Sequence, residues 1–97
     1  MNLVPIEYKL EDYELPDHLF LTGTLDIEID HVDGDPYIWA FQLTVHNGET
    51  GIRVEHDYQQ GRKDNWQASV DLKNELHRDK KLMDDIFDDC AREGMWA

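Results

Sequence analysis

The chain is short of the residues that do chemistry and of those that cross membranes. Its single cysteine, Cys90, cannot close an intramolecular bridge, which fits a reducing compartment. No apolar run approaches the roughly 18 residues a membrane span requires, and the N-terminus lacks the basic lead of a secretory signal. A soluble protein that stays in the cytoplasm of the cell that makes it is expected. There is no G-x-S-x-G elbow and no phosphate-cradling glycine loop. The histidines, His18, His31, His46, His56 and His77, show neither i,i+4 nor HExxH pairing, so each reads as a surface or hairpin residue rather than a metal ligand. The acids between Asp26 and Asp35 do not spell a calcium loop. Counted from Asp30, position twelve is Phe41; counted from Asp26, the glycine position is His31 and position twelve is Tyr37. No enzymatic activity, metal or cofactor is expected, and Cys90, on an apolar stripe, reads as a small core residue.

Bases are scarce too. Nine Lys and Arg against 22 Asp and Glu leave a formal net charge of −13. The excess is uneven: residues 1–52 hold eleven acids and one base, Lys9, whereas residues 53–97 hold eleven acids and eight bases. Such a chain repels nucleic acid and anionic membrane and attracts basic surfaces. Solubility is the plain alternative explanation, although so large a charge works against the compact state through self-repulsion. With no repeat, linker or low-complexity stretch, residues 1–97 read as a single compact domain with one core.

What is present is alternation. Leu25-Asp26-Ile27-Glu28-Ile29-Asp30 puts every apolar residue on one face of a pleated strand and every carboxylate on the other. Residues 18–30 read as one strand with Gly23 as a bulge or bend, and Asp33-Gly34-Asp35-Pro36 as a turn. Tyr37, Trp39, Phe41, Leu43 and Val45 mark the inward face of a central strand over 37–46. Asn47, Gly48 and Gly51 turn it into a strand over 52–58 with Ile52 and Val54 inward. Trp66, Ala68, Val70 and Leu72 alternate as a further strand, with a helix start as the alternative. Residues 3–15 fit an extended segment or a short helix behind Pro5, the extended reading being preferred.

From Lys73 the period lengthens: Leu76, Leu82, Met83, Ile86, Phe87 and Cys90 recur at helical spacing, with Gly94 as the stop and Met95 and Trp96 tucked on the core. The predicted fold is α+β, a three- or four-stranded antiparallel sheet with a C-terminal amphipathic α-helix packed on one face. Ile27, Ile29, Trp39, Phe41, Val54, Ile86 and Phe87 are expected to share its core.

The helix carries a second acidic group. Asp84 with Asp88 and Asp85 with Asp89 are like charges at i,i+4, which weaken a helix, and they lie toward the negative end of its dipole. Local stability does not select them; a solvated helix face is the alternative. Residues two apart on a strand are roughly 6.6 Å apart, and four apart on a helix roughly 6 Å. Successive phosphates on one DNA strand stand on the order of 6 to 7 Å apart, so both groups suit a phosphate-like row. The basic groups Arg62-Lys63 and Arg78 with Lys80-Lys81 have Asp64 and Asp79 beside them and are expected to pair internally or to contact an acidic part of a partner.

In size, charge and sheet-plus-helix plan the whole chain resembles the small acidic inhibitors of phages and other mobile elements that imitate DNA. Among them it is most similar to the anti-CRISPR proteins directed at type I surveillance complexes, particularly type I-F, and less so to inhibitors of uracil-DNA glycosylase or of restriction enzymes. The resemblance implies an inhibitor that docks on the basic nucleic-acid-binding surface of a bacterial complex, in the host cytoplasm, without binding nucleic acid or membrane itself. Asp26, Glu28, Asp30, Asp33, Asp35, Asp84, Asp85, Asp88 and Asp89 stand in clusters comparable to the docking acids of such inhibitors. The alternatives are an acidic protein-protein interaction module, such as the immunity protein of a nuclease toxin, and a structural subunit whose acidity serves solubility.

Overall fold

The alternating stretches pair in chain order. A computed structural model describes residues 3–30 and 36–92. In it β1 (Leu3–Leu15), β2 (Leu19–Asp30), β3 (Pro36–Asn47) and β4 (Arg53–Gln59) form a four-stranded antiparallel sheet of order β1-β2-β3-β4. Two helices follow, α1 (Gln67–Arg78) and α2 (Lys80–Arg92). Leu76, Leu82, Ile86 and Cys90 from the helices join Leu21, Leu25, Ile27, Ile29 and Phe41 from the sheet in one buried cluster. The architecture is therefore α+β, with both helices on one face of the sheet and the other face uncovered by them.

Residues 3–15 are extended. The chain reverses through a 3-10 turn at Pro16–His18, where Asp17 and His18 take left-handed φ values of 66° and 61°, and Leu15 pairs with Leu19. β2 carries no bulge at Gly23. Leu21, Leu25, Ile27 and Ile29 are all fully buried, and Gly23 stays in register between Leu10 and Leu43. The slips fall on its neighbours instead, between Leu10 and Tyr13 in β1 and at Trp39 in β3.

The slip at Trp39 changes which side chains of β3 are inside. An extra residue in one strand inverts the alternation beyond it, so Ile38 is fully buried while Tyr37, paired with Glu28, is 41% exposed. Phe41 and Leu43 are buried as expected and Val45 packs at the cluster's margin. Of the expected core, Ile27, Ile29, Phe41 and Ile86 are buried, whereas Trp39, Val54 and Phe87 are half-buried. Ile52, expected inward, is 61% exposed. It precedes β4, in the turn closed by the Asn47 N–H on the Ile52 carbonyl and by the Glu49 and Thr50 N–H groups on the Asn47 side chain.

The strand expected over 66–72 is a helix. Ala68, Leu72 and Leu76 recur every four residues as well as alternating with polar neighbours, and Gln67, Ala68, Leu72, Lys73, Glu75 and Leu76 are all good helix formers. The fourth strand is the N-terminal β1. The single C-terminal helix is also two: α1 ends where the Asp79 N–H reaches the Glu75 and Leu76 carbonyls, and the Asp79 carboxylate then accepts the Leu82 N–H as the N-cap of α2. The 33–35 part of the predicted turn, the Gly94 stop and the docking of Met95 and Trp96 lie outside the described residues.

The C-terminal end of the free edge of β4 is covered by the loop after it. The Asn65 side chain accepts the Gln59 N–H and donates to the Gln59 carbonyl, while Arg62 donates to the Asp57 carbonyl.

Candidate functional site

Because the helices bury one face, the polar residues of every strand are collected on the other. Register decides which of them become neighbours. Glu7, Asp26, Ala40 and Gln59 form one cross-strand row, Lys9, Thr24, Gln42 and Asp57 the next, and Thr22, Thr44 and Glu55 a third. Glu28 stands two residues from Asp26, between Pro5 and Tyr37. Glu7, Asp26 and Glu28 thus form a contiguous carboxylate patch, and among the described residues none of them has an ion-pair partner. Glu7 lies directly opposite Asp26, an arrangement that costs stability in a sheet. Toward β4 the middle of the face is short and uncharged, with Thr22, Thr24, Ala40, Gln42 and Thr44, and Glu55 and Asp57 rim its far side.

Of the acids singled out in the sequence, Asp26 and Glu28 belong to this patch and Asp30 closes β2 beside them. Asp33 and Asp35 lie outside the described residues. The helix acids are on the other side of the molecule and are themselves divided. Leu82, Ile86 and Cys90 are the buried stripe of α2, and Asp84 and Asp88, each two residues past a buried one, are exposed and point away from the sheet. Asp85 and Asp89 lie beside the stripe and are engaged within the fold. Asp89 accepts the Tyr8 hydroxyl at 2.6 Å and pairs with Arg92, and Asp85 pairs with Lys81 at 3.2 Å. The four aspartates do not make one surface, and no flat partner touches both Asp26 and Asp84.

Asp79 makes the matching contact to β1, accepting the Tyr13 hydroxyl at 2.9 Å. Burial, then the bonded carboxylate, raises the pKa of Tyr8 and of Tyr13 well above the ordinary tyrosine value. Of the basic groups, Arg62, Arg78 and Lys81 pair within the chain, while Lys63 and Lys80 are exposed. Arg62 binds Asp57, Asp64 and Asn65, while Arg78 pairs with Glu75 rather than with Asp79.

Two histidines tie α1 to the sheet. His56 on β4 shares a hydrogen bond with the fully buried Ser69 hydroxyl and stacks on Trp66. His77 accepts the Ile38 N–H on Nε2 at 3.0 Å, where β3 runs on past the end of β4, and stacks on Tyr37. An acceptor Nε2 requires neutral imidazole with its proton on Nδ1. Burial holds both histidines below 6.5, and Lys73 adds to the effect at His77. A depressed histidine pKa favours the fold above 6.5, and that contribution fades as pH falls from 6.5 through the folded-state value. The urea midpoint should therefore drop between pH 7.5 and pH 5.5, and drop less in His77→Gln, whose side chain still accepts the Ile38 N–H without taking a proton. Equal drops in the two proteins would remove His77 from the explanation.

Among the described residues no group of His, Cys, Asp and Glu is placed to hold a metal ion, and no helix is long and apolar enough to cross a membrane. The chain matches no known protein family, no curated protein sequence and no solved structure.

The sequence reading missed Glu7, Glu55 and Asp57 as members of the acidic face. Each alternates with an inward residue (Ile6 or Tyr8, Val54, Tyr58), so its outward direction was readable; its neighbours across the sheet were not.

Proposed function

We propose that this protein is a stoichiometric inhibitor that works by binding alone, docking its open sheet face on the basic nucleic-acid-binding surface of a bacterial protein complex and competing with nucleic acid there. The observation that carries the reading is the unpaired Glu7, Asp26 and Glu28 patch on a sheet face that the helices leave free. The backbone positions of Asp26 and its two neighbours Glu7 and Glu28 are on the order of 5 to 7 Å apart, close to the spacing of phosphates along a strand. The resemblance of the whole chain to anti-CRISPR proteins favours a CRISPR surveillance complex in the host cytoplasm as the target. Opposed charge speeds encounter and makes binding weaken as salt rises. A nuclease-toxin immunity protein is the second reading. It is favoured by the separation of Asp84 and Asp88 from the sheet patch, which leaves the acidic groups without one continuous phosphate-like track.

The test is capture of partners from bacterial lysate followed by DNA competition on the captured complex. Saturating protein should displace DNA, and Glu7→Lys, Asp26→Lys and Glu28→Lys together should abolish displacement while the circular dichroism spectrum is unchanged. DNA binding that persists beside bound protein overturns the mimic. Capture of a single nuclease whose activity is blocked selects the immunity reading.

A further inference from the structure

The sheet has two edges, and they are finished differently. The β4 edge is met at its C-terminal end by Asn65 and Arg62, whereas among the described residues no other element hydrogen-bonds to the backbone of β1 on its free side. Two features bound the part of β1 that can take a further strand. Pro5 has no N–H to give. At the other end the register slips between Leu10 and Tyr13, where Asp12 has φ 48°, and a slip of this kind bends an edge strand away. Between them lies Ile6-Glu7-Tyr8-Lys9-Leu10, which is complementary to itself when two copies run antiparallel about Tyr8. In that register Tyr8 faces its own copy, Ile6 faces Leu10, and Glu7 faces Lys9 on both sides of the centre. We propose that the β1 edge is a homodimer interface, in which residues 6–10 of two chains pair about a two-fold axis at Tyr8.

Other registers lack this match. Moving the axis to Glu7 or to Lys9 sets like charges opposite each other, which destabilises a strand pair. Moving it to Ile6 or to Leu10 draws Pro5 or the bulge into the ladder. Glu7 and Lys9 are both exposed, and among the described residues neither has an ion-pair partner within the chain. The axis stands perpendicular to the sheet, so both helical layers stay on one side and the two outer faces join. There the Glu7 residues of the two chains are diagonal neighbours, roughly 7 to 8 Å apart, and the two Glu7, Asp26 and Glu28 patches become one longer acidic face. The use of that longer face rests on the reading given under Proposed function; the pairing itself rests on β1. A two-fold contact occupies the same edge in both chains and closes at two. What opposes it is charge: each chain carries −13, and Asp89 sits on the Tyr8 hydroxyl beside the axis.

Sedimentation equilibrium of the full chain reads the association directly. The dimer fraction should rise with protein concentration and should be larger in about 0.5 M than in about 0.05 M sodium chloride, because salt screens the overall repulsion. Binding to a basic partner has the opposite salt dependence. Lys9→Glu and Glu7→Lys should each weaken the dimer about tenfold, since symmetry breaks both cross-strand pairs at once. Mixed together, the two variants should associate about as well as the unchanged chain, with Glu facing Lys at both pairs again. A monomer at about 1 mM protein in the higher salt, a dimer that both variants leave intact, or a mixture that stays monomeric overturns the interface. No captured complex is needed. If the chain dimerises through β1 but does not displace DNA, the pairing stands and the inhibitor reading falls; a strict monomer that displaces DNA does the reverse.

Discussion

Phe41→Ala should lose about 3 to 5 kcal/mol of unfolding free energy, the range for removing a buried aromatic ring. Phe41 is 1% exposed. It lies between Leu25 and Tyr58 on the neighbouring strands, with its ring stacked on Tyr58 at 5.4 Å between centroids. Leu25 opposite is fully buried, so the surroundings are fixed by strand pairing and cannot close over the space. A domain of this size has on the order of 5 kcal/mol to lose, and the variant should be largely unfolded at room temperature. Phe41→Leu keeps most of the volume and should lose about 1.5 kcal/mol. Urea unfolding followed by circular dichroism reads both, and a loss below about 1 kcal/mol for Phe41→Ala would contradict the burial of this ring.

Gly23→Ala should cost about 2 to 4 kcal/mol, combining a strained backbone with overpacking. The residue has φ +147°, and an added Cβ would stand 2.1 Å from the Gln42 carbonyl oxygen and 3.0 Å from the Leu43 Cα. Both are backbone atoms of the paired strand and cannot rotate aside. Gly51 separates the causes: its φ is +77°, but nothing lies within 4 Å of the added Cβ, so Gly51→Ala should cost about 1 kcal/mol from conformation alone. Equal urea midpoints for the two variants would show that the close approach of β2 and β3 at Gly23 is not limiting.

β2 was legible because its parity never breaks: Leu21, Leu25, Ile27 and Ile29 are alternate residues and all are buried. β3 was legible as a strand but not in its faces. Tyr37, Trp39 and Phe41 alternate perfectly in sequence, and only the pairing of Ile38 with Ile27 and of Ala40 with Asp26 places an extra residue at Trp39. Residues 66–72 satisfy both periods, and helix propensity together with docking of Ser69 and Leu76 decides between them. For the site, the inward engagement of Asp89 was available from spacing, since Leu82, Ile86 and Asp89 follow i, i+4, i+7 on one helix face. The neighbourhood of Glu7 with Asp26, and that of Glu55 and Asp57 with Thr44 and Gln42, depend on strand order and register, which no local pattern carries.

The loop that covers β4 acts on molecules beyond this one. A bare sheet edge is a template on which another chain adds a strand, and growth by that route leads to fibrils. Here the Asn65 amide occupies both backbone groups of Gln59, and the Arg62 guanidinium sits on the Asp57 carbonyl, where an incoming strand would pair. That strand would have to dislodge two side chains before gaining its first hydrogen bonds at this end of the sheet. A protein with one open sheet face thus has a built-in stop against polymerising from this end of the β4 edge.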